Sequence, residues 1–184
     1  MGLLRFVFSV MISRGPEALA RDMDDPDGLL MGAHLYCTQD LVNLLLFGRA
    51  CSNVFDGDRE LDGSLRLRGV RERSPVGLLS YFEHCGVHEV GSHLKHPTSP
   101  VWVVLCESHY TCIWCTDGAS VADVARRPFR LEYYDPLANQ AEPIALVCTA
   151  AADGAKLDDI PLEWVLRTRW GRVDVDWGDT EKLL

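Results

Sequence analysis

The stretch that most constrains this chain is Val101 to Cys106, VWVVLC, an apolar run rich in β-formers with no polar break. Such a run predicts a central strand covered on both faces. Tyr110 to Cys115 reads as the next strand, and the link through Glu107, Ser108 and His109 is short enough for the two to pair as a hairpin. Phe129 to Tyr134 alternates as a third strand ended by Asp135-Pro136, and Ile144 to Cys148 makes a fourth.

Helical patterning precedes the strands. Leu3, Leu4, Val7, Val10 and Met11 recur at helical spacing and predict a buried helix stopped by Gly15-Pro16. An acidic loop follows, with Asp22, Asp24, Asp25 and Asp27. Gln39 to Phe47 reads as a helix with Cys37 or Thr38 near its N-cap, Asp40 in its first turn and Gly48 past its end. It is apolar nearly all round and should be central. Between Asp56 and Arg73 the sequence is polar and glycine-punctuated, with Leu61, Leu65 and Leu67 allowing a short hairpin. Ser74-Pro75 suits the start of a helix running to about His84, with Gly86 ending it. Near the C-terminus Leu162, Trp164, Leu166 and Trp170 keep period two, Gly171-Arg172 offers a turn, and Val173, Val175 and Trp177 resume, which predicts a hairpin. Helices first and strands after give an α+β class in a single domain over residues 1–184: N-terminal helices packed on a mainly antiparallel sheet.

Composition narrows the partners. Eighteen basic against twenty-seven acidic side chains give a net charge of −9, which disfavours nucleic acid. Seven cysteines, an odd number without the dense pairing of a secreted scaffold, fit a reducing intracellular compartment, cytoplasmic or nuclear. The opening MGLLRFVFSVMI resembles a signal peptide only superficially: Arg5 interrupts it, no small-residue cleavage site follows, and it is too short to span a bilayer. No membrane partner is expected.

For chemistry, His109 stands where an apolar strand emerges into a tight turn. His109, Thr111, Ile113 and Cys115 share one face of the returning strand, so an imidazole and a hydroxyl project together. Rigid strands suit a general base, and a neighbouring polar group fixes which nitrogen carries the proton. A solvated histidine beside a strand end has the same local sequence. Cys37, preceding a helix, is a candidate thiol and equally a small packing residue. His84, Cys85, His88, His93 and His96 lie close in sequence without paired spacing, and Cys112 and Cys115 of the CxxC would point to opposite faces of a strand, so no metal site is expected. Phosphate-cradling loops, a nucleophile elbow and a dinucleotide fingerprint are missing from the sequence.

Several stretches together resemble the MINDY deubiquitinases, in the branch of the third and fourth human members: GAHLYCTQDLVNLLLFGRACSNVFDG from Gly32, VGLLSYFEHCGVHEVGSHLK from Val76, PVWVVLCESHYTCIW from Pro100, YYDPLANQ from Tyr133 and LRTRWGRVDVDW from Leu166. The resemblance implies the C-terminal portion of a catalytic domain, a papain-like cysteine-protease half-domain. It implies hydrolysis of isopeptide bonds in ubiquitin chains of the lysine-forty-eight type, with ubiquitin and polyubiquitin as partners and no cofactor. The family's ESH motif maps onto Glu107, Ser108 and His109, which makes His109 the proton acceptor, and Thr111 matches a supporting hydroxyl position. The family's nucleophile lies upstream in a glycine-rich GPCG-like segment, beside a glutamine of the oxyanion hole, and neither occurs in this chain. A non-catalytic ubiquitin-binding scaffold and a thiol hydrolase using Cys37 stand as alternatives.

Overall fold

The computed structural model describes residues 2–63, 65–116 and 127–182. The chain divides into two compact units, one of residues 1–75 with 91–94 and one of residues 76–90 with 95–184.

In the first unit, α1 (Gly2–Arg14), α2 (Pro16–Asp22) and α3 (Gln39–Phe47) gather around Leu19, Met23, Leu41, Leu44 and Ala50. The caps of α3 are those the sequence predicts. Thr38 Oγ1 accepts from Leu41 N–H, and Gly48 turns the chain at φ 77°, a left-handed conformation that favours glycine. The first helix departs from expectation. Val7, Val10 and Met11 pack on the cluster, but no residue of α1 is buried, and Leu3 and Ile12 are about three-quarters exposed (75% and 76%). Helical spacing gave its conformation correctly and its burial wrongly. A short hairpin of β1 (Arg59–Leu61) and β2 (Leu65–Leu67) follows.

The second unit is built on one six-stranded sheet. Its strands are β3 (Gly77–Ser80), β4 (Val101–Cys106), β5 (His109–Trp114), β6 (Phe129–Tyr134), β7 (Ile144–Ala150) and β8 (Val173–Asp176), lying in chain order across the sheet. Only β3 and β4 run parallel; every other neighbouring pair is antiparallel. The class is therefore α+β with a mainly antiparallel sheet. VWVVLC occupies an interior position, as its unbroken apolar character requires.

Two elements differ from the sequence-based expectation. Where Ser74-Pro75 predicted a helix to His84, the structure has β3 and then a single helical turn, α4 (Tyr81–His84), with Ser80 as its N-cap; another single turn, α5 (Ser92–Lys95), comes later in the chain. Leu78 and Leu79 are both fully covered, so pairing beside β4 overrides the local helix signal. Residues expected to form the first arm of a C-terminal hairpin form α6 (Pro161–Trp170). Its buried set, Leu162, Val165, Leu166 and Trp170, follows helical spacing, and Pro161 at the first turn suits a helix start. This helix covers the sheet, joining Leu79, Trp102, Val104, Ile113, Leu131 and Tyr133 in one core. Each fully buried leucine or valine of α6 contributes roughly 1.5–3 kcal/mol. Among the described residues no helix is long and apolar enough to cross a membrane.

Candidate active site

The β4–β5 hairpin turns through only Glu107 and Ser108, with Cys106 paired directly to His109. Two-residue hairpin turns demand positive φ at the first turn position, and Glu107 supplies it at φ 55° without being glycine. Such a residue costs on the order of 1 kcal/mol, and strain of this kind collects at functional sites. The turn sets His109 on the rim of an open cleft of about 350 Å³, lined by Cys106, Glu107, Ser108, His109 and Pro161 of α6. The imidazole is part-buried, 24% exposed.

Strand register brings a second group to this histidine. Ile113 pairs with Tyr133 and Cys112 with Tyr134, so one further step puts Asp135 across from Thr111, diagonal to His109. Asp135 Oδ2 lies 2.8 Å from His109 Nε2, and its side chain is only 9% exposed. Its other oxygen, Oδ1, accepts from Leu137 N–H at 2.8 Å, and Asp135 N–H donates to Gln140 Oε1. The turn after β6 therefore holds the carboxylate through Leu137 N–H and the backbone of Asp135 through Gln140. In the sequence Asp135-Pro136 signals only the end of a strand, which Asp before Pro does in countless turns. Its place in YYDPLANQ was the available clue.

Thr111 is buried on the same face as His109, as alternation predicts, but the hydrogen bond of His109 goes to Asp135. Burial, reinforced by nearby Asp135, pushes the Tyr133 phenol up to about 12. The Thr111 hydroxyl opposes that rise without reaching hydrogen-bond geometry: Thr111 Oγ1 and Tyr133 OH are both buried, without a hydrogen-bond partner among the described residues.

Cys106 is the cysteine lining the cleft. Burial, with Glu107 adding to it, pushes its thiol up to about 11, so it resists forming a nucleophilic thiolate near neutral pH. Cys37 belongs to the first unit, where it is exposed and forms an isolated bridge with Met31 ahead of the Thr38 cap. His109 belongs to the second.

Two of the clustered histidines have separate partners. His84 stacks on Trp164 with centroids 4.5 Å apart, and His93 Nδ1 lies 2.9 Å from Val70 O. Cys112 Sγ donates to Tyr134 O, while Cys115 is buried. Among the described residues no group of three or more His, Cys, Asp or Glu side chains could hold a metal ion.

A histidine backed by a buried carboxylate beside an open cleft is a constellation of nucleophilic hydrolases. The chain belongs to the MINDY-3/4 family of deubiquitinating enzymes, whose conserved-domain model matches residues 1–179. It is 44% identical over 192 aligned residues to probable ubiquitin carboxyl-terminal hydrolase MINDY-4 of Xenopus tropicalis, and 41% identical to that of Homo sapiens. Both matches cover all of this chain, which spans about a quarter of the relatives' length, 26% and 25% respectively. Human ubiquitin carboxyl-terminal hydrolase MINDY-3 is 39% identical over 152 residues, covering 79% of this chain and 34% of that protein. No solved structure matches the chain.

Proposed function

We propose that this chain forms the histidine-bearing part of a thiol-dependent deubiquitinase, with His109 as proton acceptor and the nucleophilic cysteine contributed from outside these 184 residues. The observation that carries this reading is His109 held at the cleft by the β4–β5 turn, in a chain belonging to a deubiquitinase family. The imidazole takes the thiol proton, and sulfur attacks the carbonyl carbon of the ubiquitin C-terminal glycine. As the carbon–nitrogen isopeptide bond breaks, the imidazolium returns that proton to the departing lysine amine. Water, deprotonated by the same imidazole, then hydrolyses the thioester and the thiol reforms. Polyubiquitin of the lysine-forty-eight type is the substrate implied by the family resemblance.

The high thiol of Cys106, together with those of Cys51 and Cys148 at about 12, argues against these three buried cysteines as the nucleophile. The decisive comparison uses an electrophilic ubiquitin probe on two proteins: this chain, and a chimera in which it replaces the aligned stretch of Xenopus tropicalis MINDY-4. The chain alone is expected to form no adduct. The chimera is expected to label and to cleave lysine-forty-eight-linked diubiquitin, with His109→Ala lowering kcat on the order of 10³-fold or more. An adduct on the chain alone would overturn the external nucleophile. An unchanged rate in His109→Ala would overturn the role of His109. A chimera that binds ubiquitin without cleaving it, where its parent cleaves, would favour the scaffold reading.

A further inference from the structure

Resting on that reading, we propose that Asp135 is the positioning residue of the site, fixing His109 as its Nε2–H tautomer so that Nδ1 is the nitrogen that accepts the thiol proton. A carboxylate only accepts hydrogen bonds, so the ring nitrogen 2.8 Å from Oδ2 must carry a hydrogen. The lone pair then resides on Nδ1. Asp135 is not free to turn away, because Oδ1 already accepts from Leu137 N–H, a donor with no alternative state. The backbone on either side is held as well: β6 fixes Tyr134 against Cys112, and Asp135 N–H donates to Gln140 Oε1. The carboxylate is nine-tenths buried, while the imidazole it holds keeps a quarter of its surface open. One end of the pair is scaffold and the other faces the cleft.

The same donors and acceptors single out one substitution. An aspartate serves two donors, one on each oxygen, whereas an asparagine of nearly the same shape has a single oxygen. In Asp135→Asn the fixed Leu137 N–H claims that oxygen, and the amide NH₂ faces the ring. His109 must then accept at Nε2, which moves its hydrogen to Nδ1 and removes the base from the reacting position. The same exchange in the serine-protease triad keeps the geometry and loses about 10⁴ in kcat through the wrong tautomer.

The tautomer is read by long-range ¹H–¹⁵N correlation NMR on the ¹⁵N-labelled 184-residue chain above the imidazole titration, with the His109 signals assigned by their loss in His109→Gln. Wild type is expected to show the Nε2–H pattern and Asp135→Asn the Nδ1–H pattern, with matching circular dichroism and thermal midpoints. An Asp135→Asn chain that keeps the Nε2–H pattern would overturn the proposal. In the chimera described above, Asp135→Asn is expected to lower kcat by 10²- to 10⁴-fold with KM changed less than about threefold. A loss confined to KM would also overturn it. The NMR result is independent of turnover, so an inactive wild-type chimera beside the expected tautomer switch would count against the deubiquitinase reading and not against the His109–Asp135 relationship.

Discussion

Trp177 Nε1 donates to Glu163 Oε1 at 3.0 Å, tying the end of the sheet to a carboxylate of α6 that has no exposed surface. Glu163 Oε2 also accepts from Arg167, one helical turn on, at 2.7 Å. The pair neutralises two charges inside the core of the second unit.

Glu163→Ala is expected to strand the buried guanidinium of Arg167 and lower the unfolding free energy by about 3 kcal/mol, the lower end of the cost of breaking a buried ion pair. Arg167 keeps its bonds to the carbonyls of Asp158 and Val173, which argues against a larger loss. Trp177→Phe removes one bond to a charged group and should cost about 1.5–3 kcal/mol. Urea denaturation followed by circular dichroism measures both. Equal stability of Glu163→Ala and wild type would mean that the ion pair contributes nothing to holding α6.

Acid should weaken the first unit through Asp58. Hydrogen bonding and charge from Arg71, then Arg68 and Arg66, hold its carboxyl at about 2, below the usual carboxylate range. A folded value below the unfolded one stabilises the folded state above the unfolded value, near 3.9, and that contribution disappears as pH falls through about 2. The stability difference between wild type and Asp58→Asn should therefore be largest above pH 4 and shrink towards pH 2. Urea titrations at several pH values test this, and a difference independent of pH would contradict it.

Thiol reactivity should separate the cysteines. Cys37 and Cys85 are exposed, whereas burial pushes Cys51, Cys106 and Cys148 up to about 12, 11 and 12. Native iodoacetamide labelling read by peptide mass spectrometry should modify Cys37 and Cys85 first, and urea should abolish the order. Early labelling of Cys106 would contradict the burial of the cleft wall.

Asn43 is an interior staple of the first unit. Its Nδ2 donates to Cys51 O at 2.8 Å and Asn53 O at 3.1 Å, while Oδ1 accepts from Gln39 Nε2. Asn43→Ala removes the side-chain donor from the Cys51 carbonyl, leaves that of Asn53 with only the weak Cys51 Sγ donor, and is expected to cost roughly 2–3 kcal/mol. A thermal midpoint equal to that of wild type would show that the loop carrying Cys51 and Asn53 is held by other means.

Local pattern was sufficient wherever a segment's own side chains decide its conformation. The run of VWVVLC, the alternation of Phe129 to Tyr134 and the caps at Thr38 and Gly48 each act through immediate neighbours, and each element formed as read. It failed where a distant partner decides. Residues 77–80 became a strand because β4 offers it a parallel edge, and the stripe of Leu162, Val165, Leu166 and Trp170 became a helix because one face of the sheet needed covering. For α1 the helical spacing was legible, but which apolar side chains would find a partner was not.

The site divides in the same way. That His109 follows a rigid strand into a tight turn was legible from contiguous residues. That Asp135, twenty-six positions away, stands 2.8 Å from its ring is a property of the folded sheet. That proximity comes from the register of β6 against β5, which long-range pairing sets and which no periodicity of either strand specifies.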